Sequence, residues 1–200
     1  MPKAPSRKVI LYLDYHGVLN TGIKDMLGEM CQFLVQVDLI RADVRVNLLS
    51  KCRGDRGNNT TMDELRDAGV LDLFDQITFT SVNTGHDHQG DTAIEHHIYS
   101  PSSHDNEAVT YTVFYGGKDQ YICSQHGQHR DARLIFVDDD MVHQTQQAVK
   151  RLTPHICGIE MRPPQFYTIP NIYGHVHNLR ELYTAIRQIV YCKSSSAHWV

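Results

Sequence analysis

Short apolar runs alternate with stretches of helical periodicity along the chain. Five runs rich in β-branched and apolar residues are typical of buried parallel strands. They are KVILYLD (8–14), VRVNLLS (44–50), LFDQITFT (73–80), ARLIFVDDD (132–140) and HICGIEM (155–161). Apolar spacing and end signals predict helices between them, over residues 24–40, 58–69, 118–128, 141–152 and 178–190. We therefore predict an α/β fold, a three-layer Rossmann-like parallel sheet with helices on both faces.

Helix ends and helix faces follow from the same pattern. The segment NNTTMDELRDAG (58–69) opens with Asn and Thr, which favour the cap of a helix, and closes on Gly69. We therefore predict that this helix begins at residue 58. In the closing helix, four apolar residues at helical spacing predict a buried face, namely Leu179, Leu182, Ile186 and Ile189.

Residues 82–117 depart from this alternation. They are polar, rich in Gly, Ser and His, and contain one alternating run, AVTYTVFY (108–115). We predict an insertion with a small β-hairpin or one extra strand, forming a flap beside the site. Its histidines and acids suit either a transition-metal site or a polar surface loop, and we favour the loop because HxH and HH spacings place neighbouring rings on opposite sides of a strand. These residues are His86, Asp87, His88, Glu95, His96, His97 and His104.

Composition predicts one ordinary globular domain. The 200 residues are 41% hydrophobic and 21% charged, enough for a single core over about residues 8–190 with a tail over 191–200. The net charge of −4 does not signal nucleic-acid binding, although a local basic groove stays open. Five scattered cysteines indicate reduced thiols, and no signal peptide or membrane span is present, so we expect a cytoplasmic protein without membrane contact.

Chemically active side chains follow the predicted strands. Asp14 ends the first strand, Ser50 ends the second, and residues 138–140 are three acids at the end of the fourth, while Lys118 begins the helix before it. The carboxyl ends of parallel strands meet at one edge, so these side chains should converge. Clustered carboxylates need a cation, and hard oxygen ligands suit Mg²⁺. A lysine and a hydroxyl hold phosphate oxygens, so the set indicates phosphoryl transfer, with Lys51 as an alternative lysine.

Four segments in this order resemble the motifs of the haloacid-dehalogenase-like hydrolase superfamily, over about residues 8–160. The segments are YLDYHGVLN (12–20), VNLLS (46–50), Lys118 and IFVDDD (135–140). A different α/β fold, such as a receiver-like domain, also gathers acids, a hydroxyl and a lysine around Mg²⁺. It usually draws an acidic pair from near its first strand, whereas here the acids cluster after the fourth, which favours the hydrolase. The resemblance implies a Mg²⁺-dependent phosphohydrolase that cleaves a phosphomonoester through an aspartyl-phosphate.

The resemblance also implies roles for single residues. Asp14 would be the nucleophile, Ser50 would hydrogen-bond the phosphoryl group, and Lys118 would neutralise charge between nucleophile and phosphate. Mg²⁺ would be held by Asp14, the main-chain carbonyl of His16, Asp138 and Asp139, with Asp140 as a competing candidate.

His16 departs from the family pattern, in which phosphatases carry an aspartate there as general acid and base. Three interpretations stay open. His16 works as the acid and base, since its reference pKa of about 6.5 suits neutral pH; or hydrolysis is slow and favours phosphotransfer; or the site binds phosphate or a partner without turnover. We assign catalysis to Asp14, His16 and Lys118 on the first interpretation.

The lengths of the segments between the motifs indicate how large a substrate the site admits. Only a helix and a strand are predicted between Asp14 and Ser50, and residues 82–117 are too few for a full cap domain. A minimal, open site suits a bulky phosphorylated substrate, namely a nucleic-acid end, a nucleotide or a phosphoprotein. The negative net charge weakens the nucleic-acid version without removing it.

Overall fold

A computed structural model describes residues 9–20, 26–38, 44–82, 94–100, 108–140, 156–161 and 174–191. The helix predicted over 141–152 lies outside these residues, as do His86, Asp87, His88 and His104 and the tail from residue 192.

One sheet of eight strands organises the described residues. The strands are β1 (Val9–Leu13), β2 (Val44–Lys51), β3 (Gln76–Ser81), β4 (Ile94–Tyr99), β5 (Val109–Tyr115), β6 (Arg133–Asp138), β7 (Ile156–Met161) and β8 (Gly174–Val176). Their order is β4-β5-β3-β2-β1-β6-β7-β8. All neighbouring pairs are parallel except β4 with β5. The predicted α/β class with a parallel sheet is therefore confirmed.

Helices cover both faces of this sheet. The described helices are α1 (Met26–Asp38), α2 (Gly54–Asp67), α3 (Lys118–Gln128) and α4 (Leu179–Tyr191). Leu11 of β1 belongs to the core that contains residues of α1, α2 and α4, whereas Tyr12 belongs to a second core with Tyr121 and Ile122 of α3. The four predicted apolar residues of α4 are buried. Among the described residues, no helix combines the length and apolar character that crossing a membrane requires.

The start of α2 differs from the prediction. The helix begins at Gly54, so Asn58 and Thr61 lie inside it and are buried instead of capping it. The side chain of Asn58 instead accepts a hydrogen bond from the main-chain N–H of Arg53, at 3.2 Å. Gly54 has a φ of +75°, which a glycine adopts without strain and which turns the chain from β2 into the helix. The prediction of a start at residue 58 was wrong for this reason.

The described part of residues 82–117 forms a β-hairpin pair, as predicted, while a flap beside the site stays a prediction. β4 pairs antiparallel with β5, with His96 opposite Thr112. β5 also pairs in parallel with β3, so the hairpin continues the main sheet at its edge. β5 ends at Tyr115, and α3 begins shortly after it at Lys118. The hairpin therefore leads directly into the residue that the sequence places in the site.

Candidate active site

Asp14 is held in place at the end of β1. Its main-chain N–H donates to the carbonyl oxygen of Val137 at 3.0 Å, which ties β1 to β6. The N–H of Tyr15 donates to its Oδ1 at 2.7 Å, and the residue is buried. The carboxylate is thus oriented by the backbone before any ligand arrives.

Lys118 joins the two strand ends. Its Nζ lies 2.7 Å from Oδ2 of Asp14 and 2.7 Å from Oδ2 of Asp138. Lys118 is only 2% exposed and Asp138 is fully buried. Buried charges are costly unless they are paired, and here one ammonium pairs with two carboxylates. Lys51, the alternative lysine, is exposed and is not part of this buried group of one lysine and two aspartates.

The three acids after β6 differ in what they do. Asp14, Asp138 and Asp139 each offer a carboxylate oxygen, and these oxygens lie within 4.8 Å of one another. Asp140 is outside this group and contributes its main-chain N–H, which donates to Oδ1 of Asp138 at 2.8 Å. Asp138 and Asp139 are therefore the acidic pair that the structure brings to Asp14.

Charge and burial shift the pKa values of this cluster. Burial alone would lower the pKa of Lys118, but the charges of Asp14 and Asp138 outweigh it, and the pKa is raised. Burial, aided by Asp14 and opposed by Lys118, raises the pKa of Asp138. Partial burial of its carboxyl group, then the charges of Asp138 and Asp14, raise the pKa of Asp139, the exposed member of the cluster, to about 6. One ammonium therefore does not neutralise three carboxylates.

This donor set fits Mg²⁺. All three side chains present hard carboxylate oxygens, the ligand type that Mg²⁺ prefers, and burial, then the neighbouring carboxylates, raises the pKa values of Asp138 and Asp139. Residues Asp14, Asp138 and Asp139 would hold the ion. The main-chain carbonyl of His16 stays a predicted further ligand.

A glycine turn closes over Asp139. Gly17 has a φ of +78°, and a Cβ built on it would collide with the carboxylate of Asp139. The turn is closed by the N–H of Asn20, which donates to the carbonyl of Tyr15 at 2.7 Å, and by the N–H of Gly17, which donates to the carbonyl of Asn20 at 2.9 Å. Only a glycine fits both the conformation and the close approach.

His16 lies in the same turn and is half-buried. Its ring packs edge-on against the ring of Tyr15, with 5.0 Å between the centroids. Burial, then the charge of Arg53, lowers the pKa of His16, Glu64 opposes the shift, and Lys118 adds to it. The histidine therefore lies within electrostatic reach of the lysine at the centre of the site.

Glu64 of α2 supports this turn and was not predicted. The hydroxyl of Tyr15 donates to Oε2 of Glu64, and Nδ2 of Asn20 donates to the same oxygen at 3.3 Å. The contact joins residues far apart in the sequence, and Glu64 sits in an ordinary helical pattern. Only the three-dimensional position of Glu64 shows that it accepts hydrogen bonds from both ends of the turn, Tyr15 and Asn20.

Ser50 is at the carboxyl end of β2, as predicted. The residue is fully buried, and among the described residues its Oγ has no hydrogen-bond partner. Its carbonyl oxygen accepts a hydrogen bond from Oγ1 of Thr80 at 3.4 Å. An unpaired buried hydroxyl is costly, about 1–3 kcal/mol, so a ligand oxygen here would recover energy.

The described part of the histidine-rich segment is separate from this site. On β4, Nε2 of His97 lies 3.3 Å from Oε2 of Glu95, and its ring stacks on Tyr111. His96 is exposed. Within the described ranges, the aspartate group is the cluster with metal-ligand geometry, and these β4 residues do not belong to one.

Known proteins give no family assignment for the chain. No protein-family model and no curated protein matches it. The resemblance to haloacid-dehalogenase-like hydrolases therefore stays a hypothesis based on the four motifs and on the geometry of the residues they contain.

Proposed function

We propose that the protein is a Mg²⁺-dependent phosphohydrolase that cleaves a phosphomonoester through an aspartyl-phosphate on Asp14. The observation that carries the proposal is the buried ammonium of Lys118, 2.7 Å from both Asp14 and Asp138 and beside a third carboxylate. Apolar residues of similar volume often stabilise a fold as well as a buried ion pair does. Such a cluster at the carboxyl edge of a parallel sheet is therefore better explained by chemistry than by stability.

The first step assigned to these residues is transfer of the phosphoryl group. A carboxylate oxygen of Asp14 attacks phosphorus, and the bond from phosphorus to the leaving oxygen breaks. Lys118 neutralises the charge that develops, and the unpaired hydroxyl of Ser50 donates to a phosphoryl oxygen. Bound Mg²⁺ would supply further charge neutralisation for the phosphate.

The second step returns the enzyme to its first state. Water attacks phosphorus, the bond to Asp14 breaks, and inorganic phosphate leaves. We assign both proton transfers to His16, which gives a proton to the leaving oxygen and later takes one from the water. Glu64 and Tyr15 act as positioning residues because they hold the turn that carries His16.

The substrate class stays broad in this proposal: a phosphorylated nucleic-acid end, a nucleotide or a phosphoprotein. The described residues of 82–117 belong to the main sheet, which fits a site without a full cap domain and a bulky substrate.

The first test is a phosphatase screen with Mg²⁺ and with EDTA. The substrates are an aryl phosphate, nucleotides, phosphopeptides and oligonucleotides phosphorylated at the 3′ or 5′ end. We expect Mg²⁺-dependent release of phosphate that Asp14→Asn abolishes. Asp140→Asn is the matched control, since that carboxylate lies outside the cluster. Activity that survives Asp14→Asn would contradict the proposed nucleophile.

A second candidate function is phosphotransfer, or phosphate and partner binding without turnover. The half-buried histidine at position 16, in place of the expected aspartate, favours it. If His16 is the acid and base, His16→Ala should lose about 10²–10⁴-fold in kcat with poor leaving groups and little with activated aryl phosphates. If the wild type is inert on every substrate while His16→Asp is active, the binding function holds instead.

A further inference from the structure

Strand β4 lies at one end of the sheet. Among the described strands its neighbour is β5 alone, so the main-chain groups on its other side face away from the sheet. Such edges are templates for pairing with another strand, and proteins usually protect them with lysine, proline or a bulge. The strand sequence IEHHIY contains neither lysine nor proline.

The side chains of β4 add an exposed apolar stripe to this edge. Ile98 is 72% exposed and Ile94 is 49% exposed, and the two residues share one face of the strand with the exposed His96. Among the exposed large apolar side chains of the described residues, Ile98 has the greatest exposed fraction. The opposite face of the strand is different, because Tyr99 is buried there and His97 packs on Tyr111.

The sequence of β4 is complementary to itself when two copies run antiparallel about His96. In that register Ile94 faces Ile98 of the second copy, and Ile98 faces Ile94. Glu95 faces His97 of the second copy, which pairs an acid with a basic ring on both sides of the axis. Facing apolar pairs stabilise antiparallel strands, so the two isoleucine pairs carry this complementarity.

We propose that β4 pairs with β4 of a second copy of this chain, antiparallel about a two-fold axis at His96. The pairing joins the two sheets into one continuous sheet. It places the isoleucines of both copies in one apolar stripe on the same face. The interface is isologous, since Ile94 of one copy meets Ile98 of the other and Ile98 meets Ile94, and it closes at two copies.

The dimer is a surface for self-association and does not depend on the proposed phosphatase activity. The site lies at the carboxyl ends of β1 and β6, in the middle of the sheet. The two proposals can therefore fail separately.

Sedimentation of the full chain tests the proposal. We expect a mass about twice the 22.9 kDa of the chain. Ile98→Lys should sediment as a monomer with an unchanged circular dichroism spectrum. Val35→Lys is the matched control, because Val35 is an exposed apolar residue of α1, far from β4 in the sequence. This variant should stay dimeric. A monomeric wild type at every concentration tested, or a dimeric Ile98→Lys, would overturn the proposal.

A double variant tests the register. Ile94→Glu and Ile98→Lys should each give monomers alone. Together they should restore the dimer, because each new carboxylate then faces a new ammonium across the axis. If the double variant stays monomeric while both single variants are also monomeric, the proposed register is wrong.

Cross-linking gives an independent readout. Facing residues of an antiparallel pair have Cα atoms about 4.5–5.5 Å apart, within the range that a disulfide bridges. His96→Cys should form a disulfide-linked dimer on oxidation, well above the wild-type background. Ile98→Cys should not, since it faces residue 94 of the second copy. Equal cross-linking of both variants, or of neither, would contradict the axis at His96.

Discussion

The candidate active site and the edge strand β4 place side chains in opposite ways. At the site, Lys118, Asp14 and Asp138 are charged groups buried among apolar strands. On β4, Ile94 and Ile98 are apolar groups left exposed. The buried charges find their partners within the chain, at 2.7 Å, whereas the two isoleucines stay exposed among the described residues, and we propose that a second copy covers them. Mutations at the site should therefore change the stability of the single chain strongly, and mutations of the exposed isoleucines of β4 should change it little.

The largest effect is expected for Lys118→Met. Removing the ammonium leaves Asp14 and Asp138 buried together without their shared partner, which should lower the free energy of unfolding by about 3–5 kcal/mol. Denaturant unfolding without Mg²⁺ measures it. Lys51→Met, at an exposed lysine, is the control and should stay within about 0.5 kcal/mol.

Adding Mg²⁺ sharpens this prediction. A ligand that binds the folded state alone raises its stability, so Mg²⁺ should recover part of the loss in Lys118→Met. If Lys118→Met is as stable as the wild type without Mg²⁺, the buried ion pairs do not stabilise the fold. The expected contrast in stability between the site and β4 then fails.

A smaller loss is expected for Gly17→Ala. The left-handed conformation alone costs a residue with a Cβ about 1–2 kcal/mol, and the new methyl would also displace Asp139. Gly69→Ala is the control, since Gly69 has a φ of +67° but open space around it. We expect Gly17→Ala to lose more stability than the control and to weaken Mg²⁺ binding in calorimetry. Equal losses and unchanged Mg²⁺ binding would contradict the contact with Asp139.

Tyr99→Phe tests how β4 is joined to α2, the helix that carries Glu64. The hydroxyl of Tyr99 on β4 donates to Asp63 of α2 and accepts a hydrogen bond from Arg66 at 2.6 Å. Losing bonds to charged groups should cost about 1.5 kcal/mol, measured by denaturant unfolding. Tyr115→Phe, whose hydroxyl donates to the exposed Glu95, should cost only a few tenths, about 0.5 kcal/mol at most. If the two losses are equal, Tyr99 does not anchor β4 to α2.

The same variant tests a pH dependence. Burial, then Asp63, raises the pKa of Tyr99 from 10.0 to about 12. The unfolded chain releases this proton first as pH rises, so the contribution is complete below the unfolded pKa and declines through this interval. The stability difference between wild type and Tyr99→Phe should therefore shrink from pH 10.0 to about 12. A constant difference would contradict the raised pKa.

The smallest effect is expected for Ile98→Val. The side chain is 72% exposed, so the loss of one methyl group should change the unfolding of the single chain by less than about 0.5 kcal/mol. Ile186→Val, the same change at a fully buried residue of α4, should cost about 0.5–1.5 kcal/mol. Unfolding in dilute solution measures both, and equal losses would show that Ile98 is buried within its own chain.

Periodicity predicted most of the fold because strands and helices bury their apolar faces here. The bounds of α3 and the buried face of α4 were predicted correctly from apolar spacing and end signals. β8 was missed, since three residues are too short to show a period. The predicted start of α2 was wrong because Asn and Thr are also accommodated inside a helix. Asn58 lies within α2, and its side chain accepts a hydrogen bond from the main-chain N–H of Arg53.

The sequence predicted those residues of the site that lie at the ends of strands or begin the next helix. Asp14, Lys118 and Asp138 meet because parallel strands deliver their last residues to one edge. The choice of Asp139 over Asp140 depends on how the chain leaves β6, and the support from Glu64 depends on where α2 packs. Neither property is local, so no sequence pattern marks them.

The central position of β1 has a consequence for the order of folding. β1 is the first of the described strands, yet one of its two neighbours is β6, which comes much later in the sequence. Pairings between distant segments slow folding, because a long loop must close before the contacts form. During synthesis we therefore expect β1 to keep one side unpaired until β6 emerges. The site should be among the last parts of the molecule to assemble, after β1, β2 and β3 have joined.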